Sequence, residues 1–152
     1  MIVFRGKISS GLGKHSELVI PGKQHLDNSP KDWPDHFASG SLNVQIMEYP
    51  SILKSRRKQL KALDRGLVPP SITIPQHEIL NNSLRRKFFK PRRGIGQAWR
   101  ATLYAHSRSM NVWIFRRIGS HMHDCIELIS DKRIRENLNI RDQDEVHVVL
   151  HS

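Results

Sequence analysis

The sequence predicts a small, mainly β domain that closes as a barrel and carries one or two short helices. Several short stretches alternate apolar and polar residues with the period of a β-strand, and only two stretches carry a helical pattern. The chain has 152 residues, about the size of one domain, so we expect residues 1–152 to form a single domain. Closing a barrel is a common way for many short strands to bury their edges.

The residues between the predicted strands indicate what kind of connection joins them. Glycine, proline and small polar residues dominate residues 21–40, which predicts a long irregular connection anchored by Trp33 and Phe37. Three prolines in Val68–Pro75 exclude a central strand along its whole length. A polar turn is expected at Ser107–Met110. The predicted strands span residues 2–10, 16–20, 42–47, 97–106, 111–117, 125–129 and 145–151.

Two stretches predict helices. Ile52–Arg65 is basic, has a thin stripe of leucines and is followed by Gly66, a residue typical of helix ends. Lys132–Leu138 predicts a shorter helix near the carboxyl end, with Asp131 as its N-cap.

Composition limits the possible partners and compartment. The 25 Lys and Arg residues exceed the 14 Asp and Glu residues, which gives a net charge of +11 at pH 7. This favours anionic partners such as nucleotides, nucleic acids or anionic lipids, without choosing among them. The sequence contains no run of about 18 apolar residues, so it predicts no membrane span. The first residues do not resemble a secretory signal. A single cysteine, Cys125, excludes an intrachain disulfide, so we expect a cytoplasmic protein.

Three short motifs carry groups suited to phosphate chemistry. Glycines in Ser10–Ser16 let backbone N–H groups approach phosphate oxygens. Ser41 and Asn43, two residues apart in a strand, share a face, and their neutral oxygens suit Mg²⁺. Glu127 lies among apolar strand residues and is followed by the basic stretch Lys132–Arg135. Taken singly, these motifs also fit a glycine turn, a capped turn and a solvated helix face.

The order of these motifs resembles that of the archaeal CTP-dependent riboflavin kinases. The family's glycine loop is matched by Gly6 and Ser10–Gly13, its G-T-L-N motif by Gly40–Asn43, and its glutamate-containing strand by Ile126–Ile129, before a closing Asp142–Asp144 turn. The similarity covers a little over half of the chain. It implies a cradle-loop β-barrel that transfers the CTP γ-phosphate to the 5′-hydroxyl of riboflavin, giving FMN and CDP.

The resemblance also implies roles for individual residues. Ser41 and Asn43 would bind Mg²⁺. Glu127 is the candidate catalytic residue, and it would contact the flavin together with Ser120. The nucleotide, CTP or CDP, would be bound by Gly11, Leu12, Gly13, Lys14, His15, Ser16, Lys132, Arg133, Ile134 and Arg135.

The chain departs from the family pattern at several positions. His15 replaces a glycine of the phosphate loop, Gln143 replaces the glycine of the last turn, and residues 52–93 form a divergent basic insertion. These departures keep a second hypothesis open, namely a non-enzymatic basic barrel that binds nucleic acid or a nucleotide ligand. Its nucleic-acid contacts would come from the basic segments Lys54–Lys61 and Arg85–Arg93.

Overall fold

The computed structural model describes residues 2–9, 18–38, 42–47, 60–75, 80–81, 95–118 and 124–151. A 3-10 turn, Lys23–His25, lies in the irregular connection over residues 21–40. Helix α1 is described over residues 60–64, and helix α2 is Ile134–Leu138. The strands are β1 (Val3–Ser9), β2 (Leu18–Val19), β3 (Leu42–Ile46), β4 (Ile72–Ile74), β5 (Leu80–Asn81), β6 (Gly96–Ala105), β7 (Arg108–Arg117), β8 (Cys125–Ile129) and β9 (Glu145–Leu150).

Six antiparallel strands close into a barrel in the order β6, β7, β8, β3, β1, β9, with β9 returning to pair with β6. The barrel can close because β6 is long enough to pair with two strands, β4 and β9, along the same edge. Its first residues pair with β4, and its later residues, from Ala101 to Tyr104, pair with β9. The predicted small, mainly β barrel with two short helices is therefore confirmed. A separate two-stranded ribbon joins β2 to β5.

The barrel interior holds the main hydrophobic core, built from alternate residues of each strand. On β1, Phe4 and Ile8 point inward and are fully buried. Gly6 lies between them, where a side chain would collide with the main-chain oxygen of Gln45 on β3. A glycine is therefore required for β1 and β3 to approach this closely.

The two helices contribute buried residues to the same core. Leu60 and Leu63 of α1 are buried in it. Gly66 follows the helix, and its φ of 72° is the left-handed conformation expected just after a helix terminus. The buried Arg116 guanidinium donates two hydrogen bonds to the Asp64 carboxylate, at 2.7 and 3.1 Å. Residues 60–75 of the predicted insertion thus pack against the barrel.

A second hydrophobic cluster covers part of the outer wall. Trp33 is almost completely buried and packs edge-on against Trp113 and Phe37, with ring centroids 4.7 and 4.8 Å apart. Its indole N–H donates to the Pro21 carbonyl at 3.0 Å. The irregular connection anchored by Trp33 and Phe37 is therefore present, as predicted. Phe115 and Ile129 extend the cluster toward β8.

Two local predictions were wrong. The β6–β7 turn is only two residues long, because His106 takes a φ of 56° and Arg108 already pairs with Ala105. Asp131 does not cap α2, which begins at Ile134 after Arg133. The Ser130 hydroxyl instead donates to the Asp131 carboxylate and accepts the Lys132 N–H, which makes a separate turn before the helix.

Across the described parts of the chain, neither helix has the length and apolar character needed to cross a membrane.

Candidate functional site

A row of polar residues crosses three neighbouring strands on the outer face of the barrel. The sheet register places Ser9 of β1 opposite Asn43 of β3, and Asn43 opposite Glu127 of β8. Their chain neighbours, such as Val44 and Leu128, point into the core, so these three residues share the outer face. Two residues singled out in separate sequence motifs are therefore adjacent in the fold.

Asn43 carries an unpaired oxygen. Its side chain is only 5% exposed. Over the described ranges of the chain, its Oδ1 is the one buried side-chain nitrogen or oxygen without a hydrogen-bond partner. Leaving such an atom unpaired costs about 1–3 kcal/mol. An uncompensated cost of this kind inside a strand points to a ligand that completes the site.

Glu127 lies at the boundary between the polar row and the second hydrophobic cluster. It is 7% exposed, and it stands between Asn43 on β3 and the buried ring of Phe115 on β7. The pairing of β8 with both neighbouring strands fixes the position of Glu127. Its neighbour on one side is the aromatic ring of Phe115, and its neighbour on the other side is the amide of Asn43. Glu127 is therefore a buried carboxylate beside Asn43.

Arg135 reaches the same end of the barrel from α2. Its Nη2 lies 2.7 Å from the Asp142 carboxylate and 3.5 Å from the Ser9 carbonyl oxygen. Ser9 is also the residue opposite Asn43, and the glycine loop begins two residues after it. A cation is thus placed beside the point where the chain enters the predicted phosphate loop.

The remaining cations of the basic stretch are less constrained. Arg133 is exposed and pairs with Glu136 at 3.2 Å. Lys132 is exposed as well, and its main-chain N–H bonds to Ser130. Ile134 is buried in the core, so its side chain does not face a ligand on the surface. The other predicted site residues lie outside the described residues: Gly11, Leu12, Gly13, Lys14, His15, Ser16, Ser41 and Ser120.

Sequence reasoning missed a groove of about 760 Å³ between the first long connection and the outer face of β6 and β7. Arg100 lies in it with its guanidinium 5.2 Å from the Trp113 ring, and it donates to both oxygens of Asp32 at 2.6 and 2.7 Å. This hydrogen-bonded pair lowers the pKa of Asp32 and raises that of Arg100. None of Asn43, Glu127 and Arg135 lines the groove.

The Cys125 thiol lies on β8 near the polar row, opposite Gln45. Burial, reinforced by the charge of Glu127, raises its pKa to about 11. A thiol with such a pKa is protonated at neutral pH and is a poor nucleophile.

The fold defines this protein as a small closed β-barrel of six strands, with a buried asparagine and glutamate side by side on its outer wall. Residues 76–150 match the family model named for CTP-dependent riboflavin kinases and described as a domain of unknown function, DUF120. This match supports the family membership that the motifs predicted. No curated protein matches the chain.

The matched region covers one side of the candidate site. It contains Glu127 and the basic stretch Lys132–Arg135, whereas β1 and β3 precede it. The placement of Asn43 in the same site therefore rests on the sheet register, which pairs it with Glu127.

Proposed function

We propose that the protein is a Mg²⁺-dependent riboflavin kinase that uses CTP as the phosphate donor. Family membership supports a role in riboflavin phosphorylation. The observation that carries the proposal is the buried pair of Asn43 and Glu127, with the unpaired Asn43 Oδ1. Asn43 offers an oxygen that can bind a metal ion, and Glu127 beside it offers a carboxylate that can accept a hydrogen bond from a hydroxyl group.

The residues present fit a magnesium ion. Mg²⁺ prefers oxygen ligands and is commonly held by one or two protein oxygens, with phosphates and water supplying the rest. Asn43 Oδ1 is such an oxygen and has no competing partner among the described residues, and Ser41 would add a second. When bound, the ion would neutralise charge on the CTP phosphates.

In the proposed reaction, Glu127 accepts a hydrogen bond from the riboflavin 5′-hydroxyl and takes its proton. The hydroxyl oxygen forms a bond to the γ-phosphorus, and the bond from that phosphorus to the β,γ-bridging oxygen breaks. FMN and CDP are the products. Because such transfers depend mainly on positioning and charge stabilisation, backbone N–H groups of Gly11–Ser16 and the Arg135 guanidinium would suffice to hold the phosphates.

The test is a comparison of matched variants in an assay that separates riboflavin from FMN. We expect Glu127→Gln to abolish FMN formation and Glu145→Gln, an exposed glutamate on β9, to leave it unchanged. Asn43→Ala should lower turnover strongly, whereas Gln45→Ala, on the same face of β3 but exposed, should not. Ser41→Ala should have a smaller effect, since water can replace one neutral ligand. Full activity of Glu127→Gln and Asn43→Ala would refute these assignments.

A second candidate function is nucleic-acid binding through the basic insertion. Arg85–Arg93 contains six basic and no acidic residues, with Phe88 and Phe89 between them. Such a segment can contact phosphates while its aromatic rings stack on bases. Affinity for an oligonucleotide would then fall steeply with salt. Neutralising Arg56, Arg57 and Lys58 would weaken that affinity and leave riboflavin phosphorylation intact.

A further inference from the structure

The two arginines next to the candidate site differ in how firmly the structure holds them. The Arg133 side chain is 66% exposed and pairs only with its equally exposed helix neighbour Glu136, among the described residues. Arg135 is held instead by groups outside its helix, namely the Asp142 carboxylate at 2.7 Å and the Ser9 carbonyl at 3.5 Å. Arg135 is therefore the cation with a defined position at the end of β1.

Both contacts use the same nitrogen of Arg135. Nη2 faces Asp142 and Ser9, and no described residue accepts a hydrogen bond from Nε or Nη1. A guanidinium has five N–H donors in a planar fork, and two of its edges can bind oxyanions. One side of this fork is anchored, and donors on the other side are available to an anion.

Asp142 belongs to a turn that is fixed to the end of β1. The Gln143 N–H donates to the Ile8 carbonyl at 2.8 Å, and the Ile8 N–H donates to the Asp144 carbonyl at 2.9 Å. The Asp144 carboxylate closes the turn by accepting the Arg141 N–H at 2.8 Å. The Asp142 backbone is thus held beside the strand that leads into the glycine loop.

The backbone of Arg135 is joined to the two residues that lead into this turn. Its carbonyl oxygen accepts the N–H groups of Asn139 and Ile140, and Asn139 takes the left-handed conformation with φ 51°. These bonds form the helix-ending motif that joins α2 to the turn. The backbones of Arg135 and Asp142 are therefore both held by hydrogen bonds near the end of β1. A contact between their side chains then requires only that the two side chains become ordered.

We propose that Asp142 is a positioning residue for nucleotide binding. It holds Nη2 of Arg135 at the end of β1, so that the free donors of the guanidinium meet a phosphate oxygen of the nucleotide. This inference rests on the proposed function for the identity of the anion, CTP or CDP. Asp142 itself does not touch the nucleotide and acts through Arg135.

The test measures nucleotide binding directly, by calorimetric titration of the full chain with Mg²⁺ and CDP. Asp142→Ala should weaken CDP binding about tenfold, the order of one charge-assisted hydrogen bond. Asp142→Glu should recover part of that loss. The matched control is Asp32→Ala, which removes an equally exposed carboxylate paired with Arg100 and should leave CDP affinity unchanged.

A double-mutant cycle separates positioning from a general structural effect. If Asp142 acts through Arg135, Asp142→Ala should cause no further loss in an Arg135→Met background. The melting temperature of each variant shows that the chain remains folded. In steady-state assays Asp142→Ala should raise the KM for CTP and leave the KM for riboflavin unchanged.

The outcomes distinguish this inference from the proposed function. Equal CDP affinities for Asp142→Ala and the wild type, or losses that add in the double variant, overturn the positioning role and leave kinase activity standing. If the wild type binds CDP through the Asp142 and Arg135 pair and forms no FMN, the positioning role stands and the kinase proposal fails. A wild type that binds no nucleotide overturns both.

Discussion

Replacing Asn43 with leucine should make the protein more stable and less active. The change removes a buried Oδ1 that lacks a partner among the described residues, and leucine has the same branched shape with the same number of side-chain heavy atoms. The cost of the unpaired atom is about 1–3 kcal/mol, and that cost disappears in Asn43→Leu. For a chain of this size, 1 kcal/mol corresponds to about 2–4 °C in melting temperature. In EDTA we therefore expect the melting temperature to rise by roughly 2–12 °C.

Ligand dependence should change in the opposite direction. A ligand at 100 times its dissociation constant stabilises a native protein by about 2.7 kcal/mol. Mg²⁺ with CDP should raise the melting temperature of the wild type and should raise that of Asn43→Leu much less. The control is Gln45→Leu, at an exposed position two residues along the same strand, which should shift stability by no more than about 0.5 kcal/mol.

Thermal unfolding followed by circular dichroism, with and without Mg²⁺ and CDP, measures both effects. If Asn43→Leu melts below the wild type in EDTA, Asn43 contributes a favourable interaction and its oxygen is not an uncompensated cost. If the variant keeps the full Mg²⁺-dependent stabilisation, the amide oxygen is not a metal ligand.

Three further predictions concern stability and pH. Gln143→Gly should raise the free energy of unfolding by about 1 kcal/mol, because Gln143 has a φ of 74°, which glycine adopts without strain; urea denaturation measures it, and a loss of stability would contradict it. Asp64→Ala should destabilise the chain by about 2–4 kcal/mol, because it removes the Asp64 carboxylate that pairs with the buried Arg116. A change below about 0.5 kcal/mol in the same assay would show that the pair is dispensable. Asp32→Asn should cost about 0.2–1 kcal/mol at neutral pH, as exposed ion pairs do. Because Arg100 lowers the pKa of Asp32 from 3.8, the difference from wild type should persist above pH 4 and vanish as the pH falls through that lowered value; a difference that persists at pH 2 would exclude this ion pair as its cause.

Much of the barrel could be predicted from local patterns, because a strand with one face in the core alternates apolar and polar residues. Phe4 and Ile8 of β1 show this alternation clearly. Closure through β6 and β9 depends on pairing between distant segments, which no local pattern encodes. The two-residue turn at His106 was missed because glycine or asparagine usually marks such a turn, and neither is present there.

The sequence predicted the residues of the candidate site but not that they lie side by side. Asn43 was predicted from its spacing to Ser41, and Glu127 from its position in an apolar strand. Their adjacency follows from the register between β3 and β8, which the sequence does not specify. The contact between Arg135 and Asp142 could not be predicted from the sequence either, because it depends on the position of the turn before β9 in the folded chain.

The riboflavin kinase assignment is tested most simply by incubating the wild-type chain with riboflavin, Mg²⁺ and each nucleoside triphosphate in turn, and then separating the flavins. We expect CTP to give FMN and CDP in equal amounts and EDTA to stop the reaction. If no triphosphate yields FMN at any Mg²⁺ concentration, the riboflavin kinase assignment is contradicted.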